Sequence, residues 1–305
     1  MLVTGYLSRR FTWSWESLRA LVRTVVVPYL VFETLLGLFR TAVGGTDLDD
    51  WYVDPHWPMW YLAVLFLWRL ATPLLNRLRH PLLVAVGVSL LGGLTTGDVL
   101  DLARAMGLLP FFVLGLSLTK QKLAVLGRPA ARLAAAGLML ATAVTSLLVA
   151  GPLDKEWLYW RASYAELGVG AGEGMALRAG ALLVTGVLAL AALALVPRSR
   201  QWFTPLGSAS LVVYLGHGFV VKGADYAGVD TLVAQAPGWG FVALTIAAAA
   251  VAVLLAWPPV AQRLGVLVDP ISSVEASDGP DAEPMPLSTR IEHHPEVTLT
   301  RHLPR

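Results

Sequence analysis

Apolar residues in this chain gather into blocks of helical-span length. They recur eight times, at about 22–43, 57–75, 81–96, 101–118, 131–150, 175–196, 206–222 and 238–257. A hydrocarbon core of about 30 Å takes about 20 residues of helix to cross, so the pattern predicts an all-α polytopic bundle of about eight transmembrane helices. The third and fourth blocks are short and the turn between them, Leu94-Thr95-Thr96-Gly97-Asp98, is tight, so a re-entrant pair is weighed there beside two full spans. The blocks define a membrane domain over 22–260. Before it, residues 1–21 read as a helix end plus an interfacial segment in which Phe11, Trp13 and Trp15 alternate with polar residues near Arg9, Arg10 and Arg19. After it, residues 269–305 carry six prolines and seven acidic residues against three arginines, a composition with little to bury that predicts a disordered tail.

The polar positions between blocks alternate in sign. Arg9, Arg10, Arg19 and Arg23 precede the first block, Arg77 and Arg79 follow the second, Lys120, Lys122, Arg128 and Arg132 the fourth, Arg198 and Arg200 the sixth, and Arg263 the eighth. The opposite loops carry Asp47, Asp49, Asp50, Asp54, Asp98 and Asp101, then the mixed segment from Asp154 to Arg161. Basic loops stay in the cytoplasm, so both termini are expected inside. Tryptophans such as Trp51, Trp57, Trp157, Trp160, Trp202, Trp239 and Trp257 fall at block ends, where an indole suits the headgroup layer.

Composition agrees and adds exclusions. At 56% hydrophobic and 14% charged residues, with a mean hydropathy of +0.62, the chain is far more apolar than a soluble domain, in which about a quarter of residues are charged. Zero cysteines exclude disulfides, thiolate catalysis and cysteine-held metals. The net charge of +2 is spread over short loops, which reads as topology and leaves no nucleic-acid face. Residues 1–30 show no cleavable signal peptide. His293, His294 and His302 lie in the tail at a spacing unsuited to a metal, and no metal site is expected. No nucleotide-binding glycine loop, HExxH pair or internal repeat is present.

Ionisable residues inside apolar blocks are the first candidates for function. Glu33 stands midway along the first block and requires a partner; Arg69, about twelve residues into the second, either pairs with it or snorkels to the cytoplasmic face. Pro28 is expected to kink the first helix. His217 sits near the outer end of the seventh block, between Gly216 and Gly218, with the ring free to serve as a base or simply packed against a neighbouring helix. His56, Arg161, Tyr164, Glu166, Glu173 and Lys222 fall near the same outer face, where Arg and carboxylates bond hydroxyls and aromatic rings stack on sugars. A loop that is polar because it is wet is the plainer reading of the same residues.

The run Leu206-Gly207-Ser208-Ala209-Ser210 through Tyr214-Leu215-Gly216-His217 resembles a signature of the integral-membrane acyltransferase 3 family, in particular its fucose 4-O-acetylase-like branch. Val3-Thr4-Gly5-Tyr6-Leu7-Ser8 is similar to a family helix end, Arg23 with Pro28-Tyr29 to another of its elements, and Pro58 to Leu62 with Leu65 to Arg69 to a third. Trp157 to Tyr164 falls where relatives carry an external Arg and Tyr. The resemblance implies transfer of an acyl group, usually acetyl, from acyl-CoA to a hydroxyl of a carbohydrate or lipid-linked glycan in a bacterial plasma membrane. It implies His217 as the catalytic residue, and Trp60, His56, Arg161, Tyr164 and Tyr214 as the substrate-binding set. Two departures bear on this. Pro58 stands where the family has a histidine, with His56 two residues before it, and the family's first helix with its Arg and His has no counterpart. A non-catalytic relative and a small-solute or glycan transporter are therefore carried as alternatives, although the broken, repeated helices of transporters are not seen.

Overall fold

The computed structural model describes residues 1–45, 52, 55–56, 58–95, 101–148, 156–236 and 238–269. Of these 79% are helical, and none is in a strand. Every apolar block of the sequence is a helix or most of one. The tail from 270 on, the acidic residues Asp47, Asp49, Asp50, Asp54, Asp98 and Asp154, and Trp51 and Trp57 lie outside the described residues.

The chain divides into two compact units, Met1–Gln201 and the part from Trp202 on. In the first, α1 (Leu2–Ser8) is followed by α2 (Trp15–Leu21), a π-helical turn Val22–Val26 and α3 (Val27–Gly44). The irregularity therefore falls before Pro28, which occupies the first turn of α3 where its missing N–H costs nothing; the local departure from α-helix is the π turn ahead of the proline. Then come α4 (Trp60–Leu75), α5 (Pro81–Gly92), α6 (Leu102–Leu116), α7 (Lys120–Leu126), α8 (Pro129–Leu148), the short α9 (Glu156–Tyr159) and α10 (Ala171–Leu195). The second unit holds a 3-10 turn Thr204–Ala209, α11 (Ser210–Tyr226), α12 (Val229–Gln235), α13 (Trp239–Ala256) and α14 (Pro258–Val268).

Among the described residues four helices are long and apolar enough to cross a membrane: Trp15–Gly44, Ala171–Leu195, Thr204–Tyr226 and Trp239–Ala256. A fifth is obtained if α6 and α7, bent by 96°, form one broken span. Helices α4 and α5, of 16 and 12 residues, are apolar but short of a full crossing. The surface left outside is apolar too: Leu183, Phe241 and Ile246 are exposed, an arrangement suited to lipid and not to water.

In the first unit α1 lies in a slot between α4 and α6. Gly5 and Gly115 make the slot possible: a Cβ on Gly5 would strike the Phe112 carbonyl, and one on Gly115 the Leu2 carbonyl. Polar ties follow along α1, where the Thr4 and Tyr61 hydroxyls pair, Arg69 Nε donates to Ser8 Oγ at 3.3 Å and Arg9 Nη1 donates to the Leu118 carbonyl at 3.0 Å. Beneath them Trp68 stacks on Phe112 at 5.1 Å and donates its indole N–H to Ala105 O at 3.1 Å. Helices α8 and α10 meet through Ala135, Ala191 and Ala194. In the second unit Ala209, Ala256 and Ala261 form the contact, with Leu206 and Val213 against it.

Candidate functional site

The buried face of α3 runs Pro28, Tyr29, Phe32, Glu33, Leu36 and Gly37, so the helical period turns Glu33 inward at 1% exposure. Its partner is His56. Glu33 Oε1 accepts the His56 backbone N–H at 2.9 Å and lies 2.5 Å from Nδ1 of the ring. When the carboxyl is ionised it can only accept; Nδ1 then carries the hydrogen and Nε2 is the basic nitrogen. The segment bearing His56 is tethered to the same helix, because Tyr29 Oη donates to Tyr52 O at 3.0 Å and the Thr34 and Tyr52 hydroxyls are 2.7 Å apart. Glu33 Oε2 is buried with no hydrogen-bond partner among the described residues. Arg69 does not pair with Glu33; it is spent on Ser8.

A cleft of about 700 Å³ opens in the same unit, lined by Met1, Trp60, Arg104, Leu108, Glu156, Leu158, Tyr159, Trp160 and Arg161. Trp60, the first residue of α4, is four residues from His56, which bounds their Cα separation at about 14 Å. Arg104 organises this wall. Its guanidinium lies 4.5 Å from the Trp60 ring centre, Nε donates to Tyr159 O at 3.0 Å, and Nη1 meets Asp101 Oδ2 at 3.0 Å. Arg161 Nε is 3.8 Å from the other Asp101 oxygen. Guanidiniums and carboxylates thus oppose one another beside two indoles and a phenol, a lining that suits an uncharged, hydroxyl-bearing ligand.

Trp160 (φ 60°) in this wall and Asp101 (φ 52°), the partner of Arg104 behind it, hold left-handed backbone without being glycine. Each such residue costs on the order of 1–3 kcal/mol and persists only where its surroundings fix it. Trp160 is 6% exposed, so it is part of the core and not of a headgroup belt. Its ring meets Phe111 edge-on at 5.9 Å.

Of the residues singled out in the sequence, Trp60 and Arg161 line the cleft, and His56 joins Glu33. Tyr164 does not face the cleft as a ligand contact would. At 2% exposure its hydroxyl donates to Leu90 O at 2.8 Å, its N–H to Gly93 O at 2.8 Å, and its ring fills the space over Gly93 and Gly174. Burial pushes this hydroxyl above the ordinary phenol range, with the Arg178 guanidinium opposing. His217 and Tyr214 belong to the second unit. The His217 Nδ1–H donates to Tyr214 O at 2.5 Å, again leaving Nε2 as the basic nitrogen, and the two rings are 5.7 Å apart. The space beside Gly216 is taken by Leu255, whose side chain a Cβ there would meet at 3.3 Å. Arg104, Asp101 and Arg178 were not singled out; Asp101 and Arg104, three apart at a helix start, form an i,i+3 pair that is readable in the sequence.

The sequence model of the family described as "Acyltransferase domain", acyltransferase 3, matches residues 1–257. No curated protein and no solved structure matches the chain.

Proposed function

The chain belongs to the acyltransferase 3 family, and from that premise we propose that it moves an acyl group, in the simplest case acetyl, from acyl-CoA to a hydroxyl of a carbohydrate or lipid-linked glycan. Family membership and the apolar helices make it a multi-pass membrane acyltransferase-family protein. The single observation carrying the mechanistic reading is the Glu33–His56 contact at 2.5 Å; in this reading the carboxyl is ionised, fixes one ring nitrogen and leaves the other as a base.

In this mechanism the acceptor hydroxyl gives its proton to His56 Nε2 as its oxygen attacks the thioester carbonyl carbon. The C–S bond then breaks and the leaving thiolate takes the proton back from the imidazolium, so one ester and one free thiol replace one thioester and one alcohol. Glu33 stabilises the imidazolium between the two events. The balanced charges and exposed aromatic edges of the cleft support an uncharged sugar as acceptor. The donor's phosphates are matched by Lys120, Lys122, Arg128, Arg132 and Arg198, which lie in stretches free of Asp and Glu. The loop charges support eight crossings with both termini in the cytoplasm of a bacterial cell.

A second reading puts the base at His217, favoured by its Nδ1 contact to Tyr214 O and by the signature that precedes it. Membranes containing the full chain, supplied with radiolabelled acetyl-CoA, decide between them. His56→Gln at equal protein level is expected to lower incorporation into glycan about 10²–10⁴-fold, the usual worth of a positioned base, and His217→Gln to retain it. The opposite pattern moves the base to His217. Absence of incorporation by the parent chain in membranes with its acceptor present returns the reading to a non-catalytic relative or a transporter.

A further inference from the structure

Arg178 stands seven residues into α10, a helix apolar enough to cross a membrane, and is 3% exposed. No carboxylate pairs with it among the described residues. An uncompensated guanidinium inside such a segment is costly, and a hydrophobic side chain of similar length would pack there at no such cost. What occupies the guanidinium instead is backbone and aromatic surface. Nη1 donates to Ser89 O at 3.0 Å, Nη2 to Ala162 O at 3.4 Å, and the cation lies 5.7 Å from the Trp160 ring centre and 5.2 Å from that of Tyr164.

These contacts close a circuit around one residue. Ser89 passes the connection to α6 by donating its hydroxyl to Gly107 O at 2.8 Å. Gly107 in turn receives Trp160 so closely that a Cβ there would sit 3.0 Å from the Trp160 Cβ. Trp160 is thus held from α6 on one side and from α10 on the other, in the left-handed backbone that its own chemistry disfavours. We propose that Arg178 is a positioning residue for the cleft: its planar fork ties α5 to the 160–164 segment and fixes Trp160 as the wall against which the acceptor is held. Lysine supplies the charge without the fork or the flat face, so it does not replace Arg178. The effect on transfer rests on the acyltransferase reading above; the effect on Trp160 does not.

The test uses the full chain in detergent, labelled with 5-fluorotryptophan, with the Trp160 fluorine resonance assigned by its loss in Trp160→Phe. Arg178→Met and Arg178→Lys are made and checked for parental melting temperature; the methionine variant is expected to fold, since it removes a buried charge. In both, the Trp160 resonance is expected to shift or broaden while that of Trp202, in the other unit, stays in place. In membranes both variants are expected to lose about 10–10²-fold in acetyl incorporation, the scale of a small misplacement, with the KM for acetyl-CoA unchanged. The Trp160→Ala, Arg178→Met double variant should be no worse than either single one. A Trp160 resonance that is unmoved in both folded variants overturns the proposal, as does parental incorporation. If the parent itself transfers no acetyl group, the acyltransferase reading fails, and the fluorine spectra alone decide whether Arg178 fixes Trp160.

Discussion

Glu33 gives His56 two separable things, a place and a charge. The place comes from Oε1, which receives both the His56 amide and the ring Nδ1. Glutamine keeps that acceptor and leucine does not, and a buried donor left without an acceptor costs about 1–3 kcal/mol. Glu33→Gln is therefore expected to reach parental membrane yield and melting temperature while losing acetyl incorporation about as severely as His56→Gln, and Glu33→Leu to lose yield as well. Equal yields for the two variants, by in-gel fluorescence of a tagged chain, show that the carboxylate has no structural role. That Glu33 needs a partner was legible, because a carboxyl in mid-block stands out. That the partner is His56 and not Arg69 was not, because 23 residues separate them and only the tertiary fold, with Tyr29 and Thr34 tethering Tyr52, brings them together. Arg178 is equally legible as a charge in an apolar block, but its neighbour is not: Tyr164, the ring beside it, lies 14 residues earlier in the chain.

At the scale of elements, eight apolar blocks became helices because periodicity and length decide that much. Local hydrogen bonding decides the rest, as in the π turn ahead of Pro28 and the 3-10 turn Thr204–Ala209 that opens what the apolar pattern predicts as continuous helix. Neither leaves a mark in hydrophobicity. Close helix contact does leave one, in glycine. Gly115→Ala forces a methyl against the Leu2 carbonyl and should cost about 1–3 kcal/mol by overpacking, read as a lower melting temperature of the purified chain. Gly137→Ala, in α8 where nothing lies within 4 Å, is the contrast: it is expected to be neutral or to stabilise by about 0.5–1 kcal/mol through helix propensity. A harmless Gly115→Ala removes the argument that α1 is seated by this pair of glycines.

At the scale of the whole molecule, the charge pattern of the loops makes the strongest claim, because it fixes which chemistry each face of the membrane can meet. If basic loops are cytoplasmic, the cleft at Trp60, Arg104 and Arg161 opens outside and the lysine-rich turn around α7 lies inside, so donor and acceptor would approach from opposite sides. The chain has no cysteine, which makes the claim directly testable by single substitutions labelled with a membrane-impermeant maleimide. Ala130, Ala165, Asp230 and Gln262 are exposed and lie in or beside loops, two on each expected side. In intact cells Ala165→Cys and Asp230→Cys are expected to label, and Ala130→Cys and Gln262→Cys only after the membrane is opened. Labelling of Ala130→Cys and Ala165→Cys from the same side would reduce the number of crossings between them, leaving α8 as a helix packed on α10 without spanning, and would place the basic turn and the cleft on one face. Acyl transfer would then need no passage across the membrane, and the separation of donor and acceptor sides drawn from loop charge would be withdrawn while the His56 base and the Arg178 circuit stood unchanged.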